Sequence, residues 1–363
     1  MELDQETRRD LMDAYNDLHR EAEAAINALP TTTDPELKHA LFRAIHNVKG
    51  NAGMMQLEPI VAFTHEMEEL VSALRRGSLV LHPMISELLL IGLDRLQDLH
   101  QAELFGGTSV ETNAIALLQK SFKAIAGADQ LEAQSIAEES LNTLAQGIQS
   151  PPTTIVVPLD SLDARDLEDQ GNIDDLIFFQ ELSLELDAQI PHWQGRSGQL
   201  FDWAMKINQL TCTPVNYDQL AAAIYMHDIG MNLVDRKLWQ RDQQAYPESE
   251  SALFKHPRWG AELLTRMHGW QDAAGIVLQH HELLDGSGYP NRIVGADIHP
   301  GAKILAILDN FFQLTQGPVD PSRRQSTIRA LSAINSRIGS HFEEELVHCF
   351  NHIVRSEVRA GNI

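Results

Sequence analysis

Only two cysteines occur in 363 residues, Cys212 and Cys349, far apart and in no metal-like spacing. That scarcity excludes a disulfide framework and a thiolate zinc site, and it suits a reducing compartment. Positive charge is scarce too, with 28 Lys and Arg against 51 Asp and Glu and a formal net charge of −23. So acidic a chain is repelled by phosphate backbones and anionic bilayers, so neither nucleic acid nor a membrane is expected as partner. A small anionic ligand stays open, because a metal or an Arg cluster can reverse the field in one pocket. No apolar run approaches the roughly 20 residues of a membrane span. The opening MELDQETRRD has no apolar core, so no secretory leader is expected in it, and the expected location is the cytoplasm.

What is present is a helical pattern. Periodic segments at about 4–28, 35–54, 57–76, 83–104 and 110–125 are separated by LPTTTDP, QLEP, an RRGS turn and ELFGGTS, which carry the Pro, Gly, Thr and Asp that start and stop helices. Residues 128–150 allow one more weak helix, and PPTTIVVP is extended and helix-breaking. Between Asp160 and Asp187 ten carboxylates face the single Arg165. No convincing strand and no internal repeat is found. The expectation is an all-α protein: a helix bundle over 1–127, an acidic, partly helical linker over 128–175, and a second all-helical domain over 176–363.

In the second helix Leu41, Ile45, Val48, Ala52 and Met55 form the apolar stripe. His46 lies off it, and Lys49, Gly50 and Gly53 share its face. Two mid-helix glycines cost roughly 1 kcal/mol each relative to alanine, a cost that close approach of another protein to His46 would offset. On the next helix His65 and Glu68 are three apart. A carboxylate or second imidazole beside His46 would fix its tautomer and raise its nucleophilicity. The pattern HNVKGNAG followed by HEMEEL resembles the histidine phosphotransfer (HPt) domain of chemotaxis-type histidine kinases. The resemblance implies that His46 carries the phosphoryl group, with Lys49, Gly50, His65 and Glu68 around it. Neither a Gly-rich ATP loop nor a receiver-type Asp module is found, so a receiver domain or histidine kinase is expected to act in trans.

The second half spaces out residues of ligand type: His227-Asp228, His256, His280-His281-Glu282 and Asp309. His227 falls on a stripe with Leu220, Ala223 and Ile224, which aims it inward. Imidazole and carboxylate without thiolate favour iron, manganese or a related divalent ion over structural zinc. The segments HDIG, HPRWGAELL, HHELLDGSGYP and KILAILDNF resemble the HD-GYP domain, the cyclic di-GMP phosphodiesterase branch of the HD superfamily. The resemblance implies that Asp228 bridges two metal positions, that His256, His280 and His281 complete one, and that His227 and Asp309 belong to the other. It implies that Asp285, Gly286, Gly288, Tyr289 and Pro290 form the namesake loop, which also docks partners such as a diguanylate cyclase or another signalling protein.

The departures from that family are specific. Its first ligand histidine is matched here by Arg196, on a stripe with Leu200, Trp203 and Ile207. His192, one turn earlier, sits beside Pro191 and is a poor substitute. The family's catalytic lysine after HDIG is matched by Met231, and its basic run after Asp309 by Phe312 and TQGPVDP, with nothing basic before Arg323. The reading is a bacterial phosphorelay protein with a degenerate HD-GYP output, binding about one transition metal per chain or none, and hydrolysing little or nothing. The guanidinium of Arg196 is expected where the first metal would stand, paired with Asp228, Asp309 or both. The competing readings are an active cyclic di-GMP phosphodiesterase regulated by phosphorylation, and a scaffold whose only chemistry is phosphotransfer.

Overall fold

A computed structural model describes residues 5–31, 34–106, 112–146, 170–190, 193–235, 252–317 and 325–360. Among these residues the regular structure is entirely helical, and the single β-bridge, Ile338 to Phe342, belongs to no strand. The protein is all-α. His192, Arg323 and most of the acidic stretch after residue 146 lie outside the described residues.

The chain divides into two compact units, Met1–Gln149 with Leu331–Ser336, and Ser150–Ala330 with Arg337–Ile363. The first contains α1 (Gln5–Ala28), α2 (Pro35–Met54), α3 (Glu58–Arg76), α4 (Pro83–Phe105), α5 (Thr112–Gly127) and α6 (Gln130–Gln146). Their ends follow local chemistry. Asp34 caps α2 by accepting from the Glu36 amide at 2.9 Å, with Pro35 at the first helical position, where no amide is needed. Gly77 ends α3 in the left-handed conformation at φ 76°. α2 buries Leu41, Ala44, Ile45, Val48 and Ala52, so His46 stays outside. Gly92 of α4 is required by packing, since a Cβ there would lie 2.6 Å from the Phe122 ring of α5.

The second unit contains α7 (Gln170–Ala188), α8 (Arg196–Leu210), α9 (Tyr217–Met226), α10 (His256–Thr265), α11 (Gln271–Gln279), α12 (Pro300–Thr315) and α14 (Glu344–Ala360), while α13 (Thr327–Asn335) spans the division. α9 is its axis. Residues Leu220 through Met226 are all buried, because α7, α8 and α11 surround the helix. The periodic stripe therefore understates the burial of α9: its small residues, Ala221 to Ala223, let neighbours close in on every side. Trp203 of α8 packs against Phe311 and Phe312 of α12 at ring separations of 5.5 and 5.3 Å. Phe312 is thus core rather than part of a ligand surface.

Candidate functional site

On the first unit, His46 projects from α2 with its side chain 57% exposed. Its Nδ1 lies 3.4 Å from Glu68 Oε1 on α3, and the other Glu68 oxygen pairs with Lys49 Nζ at 2.6 Å. A carboxylate can only accept, so this contact favours the tautomer with the proton on Nδ1. Phe42, one turn back on α2, stacks on His46 at 5.8 Å and 14°, and the Arg75 guanidinium sits 3.6 Å over the Phe42 ring. That pair joins residues 33 apart and left no local mark in the sequence. His65 is exposed, one turn before Glu68; of the two, it is Glu68 whose contact with His46 is observed. Among the described residues a Cβ on Gly50 or Gly53 would meet nothing within 4 Å, so their packing does not require glycine at either position.

In the second unit four elements bring the ligand-type residues together. His227 follows the end of α9, His256 opens α10, His280 and His281 follow α11, and Asp309 lies in α12. Three of the imidazoles are held alike. Nδ1 of His227, His256 and His280 donates to the carbonyls of Ile224, Leu253 and Val277 at 2.7, 2.6 and 2.7 Å. For His256 and His280 this leaves an unprotonated Nε2 facing inward, the tautomer a metal takes. Burial works against a charge on His227, but Asp228 beside its Nε2 outweighs it and raises its pKa. Gly230 allows this closeness, because a Cβ there would lie 2.3 Å from the His256 carbonyl oxygen.

Among the described residues two groups of possible ligand atoms result, one of His256, His280 and His281 and the other of His227, Asp228 and Asp309. Asp228 faces both, with one oxygen 3.0 Å from His227 Nε2 and the other 3.4 Å from His256 Nε2. In the first group His256 Nε2 lies 3.3 Å from His280 Nε2 and 3.2 Å from His281 Nε2. Burial, reinforced by the neighbouring imidazoles, holds His280 and His281 well below the usual histidine range, and burial also lowers His256. The unprotonated nitrogens of His256 and His280 repel each other at that distance unless a cation or proton lies between them, so these residues fit a metal ion.

The second group already contains a cation. Arg196, the first residue of α8 and only 3% exposed, donates from Nη1 to Asp228 Oδ2 at 2.9 Å and from Nη2 to Asp309 Oδ1. Trp193 lies beneath it, with the guanidinium carbon 4.4 Å from the ring. Asp187 caps α8 through the Ser197 amide and hydroxyl at 2.9 and 2.7 Å. Burial opposes the charge on Arg196, but Asp228 and Asp309 outweigh it and raise its pKa. Burial likewise works against ionised Asp228, yet His227 and Arg196 hold that carboxyl well below the carboxylate range. Asp309 goes the other way: its burial outweighs the pull of Arg196, and the charge on Asp228 adds to the rise. The ligands of this group do not fit a metal ion while Arg196 stays among them. Met231 is buried in an apolar cluster with Leu186, Ile190, Trp193, Val234 and Leu253.

Glu282, grouped by its sequence with the ligand-type residues, has a different place. Its carboxylate accepts from the Asn291 and Ile293 amides at 2.6 and 3.2 Å, holding the loop that contains Asp285, Gly286, Gly288, Tyr289 and Pro290. Gly286 has φ 78°, and at Gly288 a Cβ would strike the backbone of His281 to Leu283 at 2.4–2.6 Å. Tyr289 stacks on His281 at 4.7 Å and 24°. Pro290 and Asp285 are exposed.

Comparison with known proteins accounts for both units. The family model described as an Hpt domain matches residues 6–99, and one described as an HD domain matches residues 182–346. The chain is 33% identical over 134 residues to the 3'3'-cGAMP-specific phosphodiesterase 2 of Vibrio cholerae, covering 36% of this chain and 25% of that protein. It is 40% identical over 93 residues to the chemotaxis protein CheA of Cereibacter sphaeroides, covering 26% and 13%. It is 35% identical over 88 residues to the cyclic di-GMP phosphodiesterase response regulator RpfG of Xanthomonas campestris, covering 24% and 23%. The chain thus spans a quarter or less of the length of these curated relatives. No helix among the described residues is long and apolar enough to cross a membrane. The chain joins an Hpt domain to an HD domain.

Proposed function

We propose that this protein carries phosphate on His46 and uses its HD domain as an output that binds metal, partner proteins or both, with little or no hydrolysis. The observation that carries the second half is the Arg196 fork between Asp228 and Asp309. Two-ion hydrolysis needs a cation at each position to activate water and hold the leaving oxygen. A divalent ion about 4 Å from a guanidinium meets a repulsion of roughly 8 kcal/mol, twice the value for unit charges at an effective dielectric of 20. Met231 adds no charge where the resemblance places a catalytic lysine.

The first half rests on the free side of His46. Nε2 attacks the phosphorus of an acyl phosphate on a receiver aspartate, a nitrogen–phosphorus bond forms, and the carboxylate leaves with the electron pair. No proton has to move, because Nδ1–H stays on Glu68, while Lys49 offsets the incoming charge. Gly50 leaves room for the partner. A receiver domain or histidine kinase in trans is the partner this face suits. A diguanylate cyclase or other signalling protein is the partner proposed for the exposed side of the loop around Pro290.

His256, His280 and His281 would hold the remaining ion, iron or manganese rather than zinc, which would supply Lewis-acid charge for an anionic ligand. Elemental analysis of the purified chain, together with hydrolysis assays on cyclic di-GMP and 3'3'-cGAMP, tests the reading. About one transition metal per chain or none, and negligible turnover, is expected. Two tightly held ions with turnover would overturn it in favour of an active, phosphorylation-regulated cyclic di-GMP phosphodiesterase.

A further inference from the structure

Tyr289 touches the three-histidine group in more than one way. Its ring stacks on the His281 imidazole at 4.7 Å and 24°, and its amide donates to the His281 carbonyl at 3.1 Å. The same ring meets Phe254 at 4.7 Å and 81°. Phe254 lies in the 3-10 turn Ala252–Lys255, the same turn whose Leu253 carbonyl fixes the His256 tautomer. Tyr289 thus touches one imidazole directly and packs on the turn that fixes a second. The loop behind it is held from the same place, through Glu282 and through the close approach at Gly288.

We propose that Tyr289 is a positioning residue for the metal ion, and that the loop from Asp285 to Ile293 becomes ordered with that ion. The inference rests on the proposed metal binding by His256, His280 and His281. Removing the ion restores the repulsion between the buried lone pairs of His256 and His280, 3.3 Å apart, with His281 Nε2 3.2 Å from His256. The imidazole with most room to relieve it is His281, 19% exposed in its side chain and without the Nδ1-to-carbonyl tether of the other two. Rotation of His281 would strip the stacking partner from Tyr289 and loosen the loop. Binding the ion draws His281 in and restores the stack, so loop order and metal affinity are reciprocal.

The test uses the full chain stripped of metal and titrated with Mn²⁺ by calorimetry and with Co²⁺ by visible absorption. Tyr289→Ala should weaken binding roughly 10–100-fold, the range for losing an outer partner of a ligand, and should change the Co²⁺ spectrum. Tyr289→Phe keeps the ring and should bind as the wild type does. In the wild type, amide exchange at Tyr289, Asn291 and Ile293 should slow when metal is added; this measurement needs no variant to fold. Wild-type affinity and spectrum in Tyr289→Ala, or loop exchange indifferent to metal, would overturn the inference and leave the metal site standing. Failure of the wild type to bind either ion would overturn both.

Discussion

Replacing Arg196 by alanine takes away the guanidinium that joins Asp228 to Asp309 while leaving both carboxyls inside. Breaking a buried ion pair from one side typically costs about 3–5 kcal/mol. The lower end applies here, because Asp309 already has a raised pKa and can take a proton at modest cost. A loss of about 3 kcal/mol in a unit of this size lowers its melting temperature by roughly 6–12 °C. The measurement is selective in the intact chain, since all five tryptophans, from Trp193 to Trp270, lie in the second unit. Thermal unfolding followed by their fluorescence, with a chelator present, should show the drop. Added Mn²⁺ should restore stability to Arg196→Ala and more fully to Arg196→His, which supplies an imidazole, and Arg196→His should also raise the metal content. The wild type should gain nothing at this position. An Arg196→Ala protein within about 0.5 kcal/mol of the wild type, the usual range for neutral surface changes, would refute the reasoning.

Other outcomes follow from the first unit. A phosphorylated cognate receiver should label the wild type and leave His46→Gln unlabelled, and Gly50→Leu should slow labelling without unfolding the bundle, since the added side chain meets nothing at its Cβ; full labelling of His46→Gln would remove His46 as the carrier. His100 stacks on Tyr15 at 3.9 Å and is held down to about 4 by burial, with a small further push from His19. Below the ordinary value near 6.5 the unfolded chain takes up a proton that the folded one refuses. The first unit should therefore lose about 3 kcal/mol between pH 6.5 and 4, read as faster amide exchange in α1 and α4, and His100→Phe should flatten that acid limb. An unchanged limb in His100→Phe would assign the loss elsewhere.

Several of these features can be read from local sequence. Asp34-Pro35, Pro83 and Gly77 mark helix ends because their chemistry acts within one turn, and the sequence boundaries of α1 to α4 fall within a residue of those observed. The inward stripe of Arg196, Leu200, Trp203 and Ile207 is likewise local, and all four are buried. What local pattern could not supply is the partner of each polar group. Glu282 reads as one more ligand beside two histidines, and only the fold of the following loop turns its carboxylate onto the Asn291 and Ile293 amides. Trp193 under Arg196 and Arg75 over Phe42 are of the same kind: ring and cation meet through tertiary packing, which no helical period encodes. His46 with Glu68 is intermediate, since each lies on a legible helix face but their meeting depends on how α2 and α3 pack.

Trp193, Asp228 and Asp309 surround a charge that is part of the polypeptide itself. An ion at such a place is gained and lost with the supply of metal in the cell, and a pool of molecules holding it is always a mixture. A guanidinium arrives with translation, in every copy, at unit stoichiometry, and no chelator removes it. The core around α9 is then complete as soon as the chain folds, whatever the availability of iron or manganese, and any response to those metals is left to the three histidines and the loop stacked against them.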